Sequence, residues 1–75
     1  LPQCNVSVRV RDKVRTLGSE GVRAAVARES GKVARLVVRA SGTEPVVRIF
    51  AEAETAHAAS AAAEGVRRAV LSEEE

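Results

Sequence analysis

The chain has 75 residues and a formal net charge of +2, from 12 basic and 10 acidic side chains. This length allows one small domain with a single modest core, and it excludes a large active site enclosed by this chain alone. The composition, with 45% apolar and 29% charged residues, is that of a soluble globular domain. No apolar stretch is long enough to span a membrane, and no signal peptide is visible.

The numbers of aromatic, cysteine and arginine residues indicate what the core is made of, which redox compartment suits the chain and what kind of ligand it could bind. Phe50 is the only aromatic residue, so the core has to be built from aliphatic side chains and alanine. The single Cys4 allows no intrachain disulfide and no cysteine metal cluster, in agreement with a reducing cytoplasm. Most basic residues are arginine, which suits bidentate recognition of phosphate, although a GC-rich genome would explain the same content. Because the chain is short and begins at Leu1 rather than Met, we expect it to be part of a longer polypeptide.

The first half of the chain predicts a strand followed by a helix. Residues 4–11 alternate between apolar and polar side chains, which is typical of a half-buried strand. Residues 12–18 are predicted to form a connection with a short extra strand around Val14. Ser19 is a suitable N-cap for a helix. That helix is expected to end near Gly31 in a left-handed C-terminal cap.

The middle of the chain predicts a hairpin. Residues 32–40 and 46–54 both alternate, and the glycine and proline between them indicate a loop over residues 41–45. Two strands joined by such a short loop pair antiparallel. The inner face of the hairpin would carry Ala34, Leu36, Val38, Val47, Ile49, Ala51 and Ala53.

The last part of the chain predicts a long helix that begins after Thr55. Its apolar residues recur at helical spacing: Ala59, Ala62, Ala63, Val66, Ala69 and Val70. Residues 72–75 are expected to be a frayed tail. The predicted order is β-α-β-β-α, which gives one α+β domain over residues 1–75. We expect an antiparallel sheet of three to four strands with two helices on one face.

The loop over residues 41–45 has the composition of an anion-binding site. Gly42 permits a positive φ and lets the backbone approach a ligand, and amides in such a turn can form an anion-binding nest. Ser41 and Thr43 add hydroxyl donors, and Pro45 fixes the backbone where the chain leaves the turn. A plain hairpin turn, in which Ser and Thr satisfy local backbone groups, would have the same residues.

Two arginines flank this loop. Arg39 ends one predicted strand and Arg48 lies early in the next, and the alternation places both on the face away from the core. Two guanidiniums could therefore close on one phosphate. Alternatively, both could be solvated strand residues paired with Glu44 or Glu52. The residues alone thus predict an anion-binding loop and nothing more specific.

The run Arg-Ala-Ser-Gly-Thr-Glu-Pro-Val-Val-Arg at residues 39–48 resembles the phosphate-binding loop of the α-D-phosphohexomutase superfamily. The arginine three residues after Pro45 is most similar to its phosphoglucosamine mutase branch. Residues 1–3, 6–10 and 49–53 are also similar to the last domain of that branch. Many members carry Pro where this chain has Ala40, and Asn where it has Ser7.

The resemblance implies a role for the domain. The family interconverts 6-phospho and 1-phospho sugars through a phosphoserine and a magnesium ion, both held by earlier domains. Its last domain has a TATA-box-binding-protein-like α+β fold and binds the phosphate that does not react. The residues that this carries over are Arg39, Ser41, Gly42, Thr43 and Arg48, with Glu44 and Pro45 as supporting residues. The resemblance therefore implies no catalytic residue and no metal ligand in this chain, and the isolated domain is expected to be inactive.

The expected partners are a phosphosugar and the preceding domains of the same polypeptide, with no nucleic acid and no membrane. A first alternative keeps the role but places it in a phosphomannomutase or phosphoglucomutase, because the sequence does not specify the hexose. A second is a small basic nucleic-acid-binding module, but such modules usually display several aromatic residues for base stacking, and only Phe50 is available here. A third is a structural or dimerising domain. The expected localisation is cytoplasmic.

Overall fold

Three strands and three helices make up the chain, and all 75 residues are described by the computed structural model. In chain order they are β1 (Gln3–Arg9), α1 (Lys13–Gly18), α2 (Glu20–Ser30), β2 (Arg35–Ala40), β3 (Val46–Glu52) and α3 (Ala56–Ser72). The predicted α+β class is confirmed. The two longer helices begin at the predicted caps, since the hydroxyls of Ser19 and Thr55 accept hydrogen bonds from the amides of Val22 and Ala58.

The sheet has the strand order β1-β3-β2, and both pairings are antiparallel. The predicted hairpin of β2 and β3 is therefore confirmed, and β3 is the central strand. Alternation along β3 sends Val47, Ile49 and Ala51 into the core, each with at most 1% of its surface exposed. The opposite side of the sheet, here called the outer face, carries Arg48 of the same strand, which is exposed.

The core lies between the inner face of the sheet and the helices α2 and α3. It is built almost wholly from valine and alanine: Val8, Val10, Val22, Val47, Ile49, Ala51, Ala53, Ala59, Ala62, Ala63, Val66 and Val70. The buried face predicted for α3 is confirmed, since its buried residues are Ala59, Ala62, Ala63, Val66 and Val70. No helix of the structure has the length and the apolar character that crossing a membrane requires.

The segment after β1 differs from the prediction. Residues 13–18 form the short helix α1, and the extra strand predicted around Val14 is absent; Val14 is 78% exposed. Asp12 accounts for the helix, since its carboxylate accepts a hydrogen bond from the Arg15 amide at 3.0 Å. The Thr16 hydroxyl donates to the Asp12 carbonyl at 2.9 Å, and Thr16 is fully buried. The Asp12 cap and the buried Thr16 side chain therefore stabilise α1.

The left-handed C-terminal cap expected at Gly31 is also wrong. No glycine in the chain has a positive φ. Gly31 has φ −72° and ψ −10°, so α2 ends in a right-handed turn in which the Lys32 amide donates to the Glu29 carbonyl at 3.0 Å.

At the C-terminal end of the chain, α3 continues to Ser72, and the Glu74 carboxylate accepts a hydrogen bond from the Arg11 amide at 3.0 Å.

Candidate functional site

The segment over residues 41–45, here called the 41–45 loop, joins β2 to β3 at one end of the sheet. The Ser41 amide donates to the Val46 carbonyl at 2.9 Å, which closes the loop at its base. The Val46 amide donates to the Glu44 carbonyl at 2.8 Å. The Val10 amide, beyond the end of β1, donates to the Pro45 carbonyl at 2.8 Å. These hydrogen bonds attach the 41–45 loop to the beginning of β3 and to the residue that follows β1.

Ser41 organises the loop from within. Only 7% of its surface is exposed, and its Oγ accepts hydrogen bonds from the amides of Thr43 and Glu44 at 3.4 and 3.3 Å. These are the local contacts of a serine turn. The Ser41 hydroxyl proton has no acceptor within the chain. Ser41 therefore shapes the turn and retains one donor.

Gly42 and Thr43 form the exposed tip of the 41–45 loop. Gly42 does not adopt the positive φ that glycine permits. A Cβ atom added at Gly42 would meet nothing within 4 Å, so the space beside this backbone is open. The Gly42 amide is the only amide of the loop without an acceptor in the chain. The tip can therefore offer a backbone donor and the Thr43 hydroxyl to a ligand.

The two arginines predicted to flank the loop lie opposite each other on neighbouring strands. Arg39 of β2 lies directly opposite Arg48 of β3, and both are exposed on the outer face, as the alternation predicts. The Arg48 guanidinium donates to the Ser7 hydroxyl at 3.2 Å and to a Glu44 carboxylate oxygen at 3.3 Å. Arg39 forms no ion pair within the chain. The site therefore has two cations and one nearby carboxylate.

Of the ion pairs considered for the two arginines, the structure contains the one between Arg48 and Glu44. Arg48 is paired with Glu44, and Glu52 accepts instead from the Gln3 amide group at 3.1 Å. The side chains of Arg48 and Glu44 are 46% and 55% exposed. Ion pairs this exposed contribute about 0–1 kcal/mol. An incoming anion can consequently replace Glu44 at small cost.

Lys13 is a site residue that the sequence reasoning missed. Its ammonium donates to the Ser41 carbonyl at 2.5 Å and to the Glu44 carbonyl at 3.0 Å. The signal that could have located it is Asp12, an N-cap residue directly before it. Three cationic side chains therefore surround the 41–45 loop.

The remaining surface offers less chemistry. Phe50, the only aromatic ring, lies under the Arg35 guanidinium, which is 5.7 Å from the ring centroid. No group of three or more His, Cys, Asp or Glu residues is placed to hold a metal ion. The largest groove, about 690 Å³ between α2 and α3, contains no residue of the 41–45 loop. The 41–45 loop thus lies on the open surface, outside the largest groove.

The chain is a small α+β domain with a hairpin loop flanked by cationic side chains at one end of its sheet. The sequence pattern described as phosphoglucomutase/phosphomannomutase, C-terminal domain, matches residues 5–69. This chain belongs to that family, as the resemblance of residues 39–48 implied.

Curated relatives agree with the family assignment. The chain is 54% identical over 56 residues to the phosphoglucosamine mutase of Maricaulis maris, which is 71% of this chain and 12% of that protein. It is 41% identical over 73 residues to the phosphoglucosamine mutase of Mycobacterium ulcerans, covering 93% of this chain and 16% of that protein. It is 40% identical over 75 residues to the phosphoglucosamine mutase of Geobacillus kaustophilus, covering 96% of this chain and 17% of that protein. The chain thus spans about one sixth or less of the length of these relatives.

Proposed function

We propose that the 41–45 loop, with Arg39 and Arg48, binds the non-reacting phosphate of a phosphosugar. The domain would do so within a phosphoglucosamine mutase, which converts glucosamine 6-phosphate to glucosamine 1-phosphate. The observation that carries the proposal is the direct pairing of Arg39 with Arg48. Like charges at opposed positions of a sheet are destabilising. A doubly charged phosphate between them would turn this repulsion into two attractive contacts.

The donors of the loop complete the site. A phosphate ester has several acceptor oxygens, and it is held best by donors that converge from different groups. The Gly42 amide and the Thr43 hydroxyl have no acceptor in the chain, and both lie at the exposed tip. Arginine guanidiniums suit the bidentate recognition of phosphate. Together these groups account for phosphate recognition without any sugar contact.

A site that binds only the phosphate group fits the chemistry of a mutase. Holding the phosphate remote from the reaction orients the sugar and supplies binding energy for the chemical step. After the first transfer the sugar carries two phosphates and has to reverse its orientation. Because the loop would recognise only phosphate, it would bind the sugar in both orientations. The domain would close the active site and loosen during that turn. Distances between labelled domains of the full-length enzyme that do not change with ligand would contradict the closure.

The catalytic groups would lie in other domains. The family's reaction uses a phosphoserine and a magnesium ion, and this chain offers no group of three carboxylate, histidine or cysteine ligands for a metal. The choice of hexose would also lie elsewhere, because none of the loop donors is specific for an amino sugar. The same role in a phosphomannomutase or phosphoglucomutase is the alternative, since the family description names both.

A titration tests the binding role. The isotopically labelled chain is titrated with glucosamine 6-phosphate, with glucosamine as the unphosphorylated control, and with a short RNA. We expect amide shifts confined to residues 41–44 and the neighbourhood of Arg48, with a Kd of about 1 mM or weaker, or about −4 kcal/mol. Glucosamine should cause none. Shifts across the outer face with RNA, and none with the sugar phosphate, would favour a nucleic-acid-binding module instead.

A further inference from the structure

Lys13 connects the first helix to the 41–45 loop through two carbonyl groups. Its ammonium donates to the Ser41 carbonyl at 2.5 Å and to the Glu44 carbonyl at 3.0 Å, so one cation bridges the beginning and the end of the loop. Hydrogen bonds that involve a charged group are shorter and stronger than neutral ones. Lys13 therefore restrains the span that contains Gly42 and Thr43.

The position of Lys13 is itself fixed by the fold. Lys13 is the first residue of α1, whose start is capped by the Asp12 carboxylate. The buried Thr16 holds the same turn through its bond to the Asp12 carbonyl. Just before this turn, the Val10 amide binds the Pro45 carbonyl at 2.8 Å. The segment between β1 and α1 is thus attached to the far end of the loop, and Lys13 follows directly.

We propose that Lys13 is a positioning residue, which holds the 41–45 loop in its ligand-receiving conformation without touching the phosphate. The proposal rests on the proposed phosphate-binding function. Carbonyl oxygens carry partial negative charge, and two of them lie at the base of a loop assigned to bind an anion. Lys13 neutralises both oxygens, while the amides of Thr43 and Glu44 turn to the Ser41 hydroxyl. The Gly42 amide is left for the ligand.

The experiment compares the 75-residue chain with three variants. Lys13→Met removes the ammonium and keeps the length of the side chain, whereas Lys13→Arg keeps a cation with several donors. Arg15→Met is the matched control, because Arg15 lies on the same helix, is exposed, and its guanidinium has no hydrogen-bond partner. Hydrogen exchange of the Ser41 and Val46 amides is measured without ligand. The Kd for glucosamine 6-phosphate is measured by the same titration.

We expect Lys13→Met to lower the exchange protection of both amides by about tenfold, with central β3 amides unchanged, and to raise the Kd by about tenfold. Lys13→Arg should stay within about threefold of the wild type in both quantities, and the control should match the wild type. A Kd that rises while ligand-free protection is unchanged would make Lys13 a direct ligand and overturn the proposal. Unchanged values in both measurements would also overturn it. A wild-type chain that binds no phosphosugar refutes the binding function, whereas the ligand-free comparison still decides whether Lys13 holds the loop.

Discussion

Arg39 and Arg48 lie directly opposite each other on the outer face of the β2–β3 hairpin, and only Arg48 has a carboxylate partner. The Cβ atoms of directly opposed residues in such a pair are about 4.5–5.5 Å apart. Like charges at directly opposed positions lower the stability of the unliganded chain. A binding site for a doubly charged anion explains why such a pair would be kept.

The first prediction is that Arg39→Gln stabilises the free chain and weakens phosphate binding. The substitution removes a repulsion, so the free energy of unfolding in urea should rise by about 0.2–1 kcal/mol. The same change removes a charge-assisted contact, so the Kd for glucosamine 6-phosphate should rise by about tenfold or more. Opposite signs for stability and binding are the signature of a functional residue.

The matched control for this prediction is Arg23→Gln. Arg23 lies on α2, is exposed and forms no ion pair, so the substitution removes the same charge from a helix, where no second arginine stands at an opposed strand position. We expect its stability and its Kd to remain within experimental error of the wild-type values. A loss of stability in Arg39→Gln, or the same change of Kd in both variants, would refute the assignment of Arg39.

The second prediction concerns Arg48, whose guanidinium already donates to Ser7 and Glu44. Arg48→Ala should weaken glucosamine 6-phosphate binding by about 1.5–3 kcal/mol, the usual cost of a lost charge-assisted hydrogen bond. Arg67→Ala on α3 is the control, because Arg67 also pairs with one exposed carboxylate, that of Glu64. Equal affinities for the wild type and Arg48→Ala would leave Arg48 as a solvated strand residue.

The third prediction concerns Glu44, the one carboxylate at the site. Glu44→Gln removes a negative charge that competes with the phosphate for Arg48, so the Kd should fall by about fivefold, or about 1 kcal/mol. The unfolding free energy should fall by no more than about 1 kcal/mol, because the pair is exposed. Glu64→Gln removes the same charge from α3 and should leave the Kd unchanged. A weaker affinity in Glu44→Gln would mean that its carboxylate contacts the sugar.

Much of the fold and part of the site could be predicted from the sequence, because both depend on regular spacing. Alternation along β2 and β3 placed Arg39 and Arg48 on one face, and the hairpin then brought them together. The 3.6-residue period located the buried face of α3 for the same reason. A repeating pattern offers several residues that agree with one another, so single exceptions do not change the prediction.

The features that were missed depend on single contacts between distant segments. Helix α1 has six residues, too few for a periodic signal, and it relies on the cap of Asp12. The contact of Lys13 with the 41–45 loop requires the sheet to be assembled first. The left-handed cap at Gly31 was predicted from residue type alone, although glycine permits that conformation without requiring it.

The last prediction concerns Gly65 and Glu29, where α3 and α2 meet. Glu29 is only 6% exposed, and its carboxylate pairs with Arg28 at 3.1 Å and with Lys32 at 3.5 Å. A Cβ atom at Gly65 would lie 2.7 Å from the Glu29 Cδ atom, so Gly65→Ala has to displace the carboxylate. The helix gains about 1 kcal/mol from alanine, whereas the lost contacts cost about 2 kcal/mol. We expect a net loss of about 1 kcal/mol in urea unfolding.

A double-mutant cycle isolates the contact between Gly65 and Glu29 from helix propensity. In a Glu29→Ala background no carboxylate lies in the way, so Gly65→Ala should stabilise the chain by about 1 kcal/mol. The sign of one substitution would then reverse with the identity of residue 29, which corresponds to a coupling of about 2 kcal/mol. Gly18→Ala is the control, because a Cβ atom there meets nothing within 4 Å, and it should show no coupling to Glu29. Additive effects of Gly65→Ala and Glu29→Ala would mean that Gly65 is not required for the burial of Glu29.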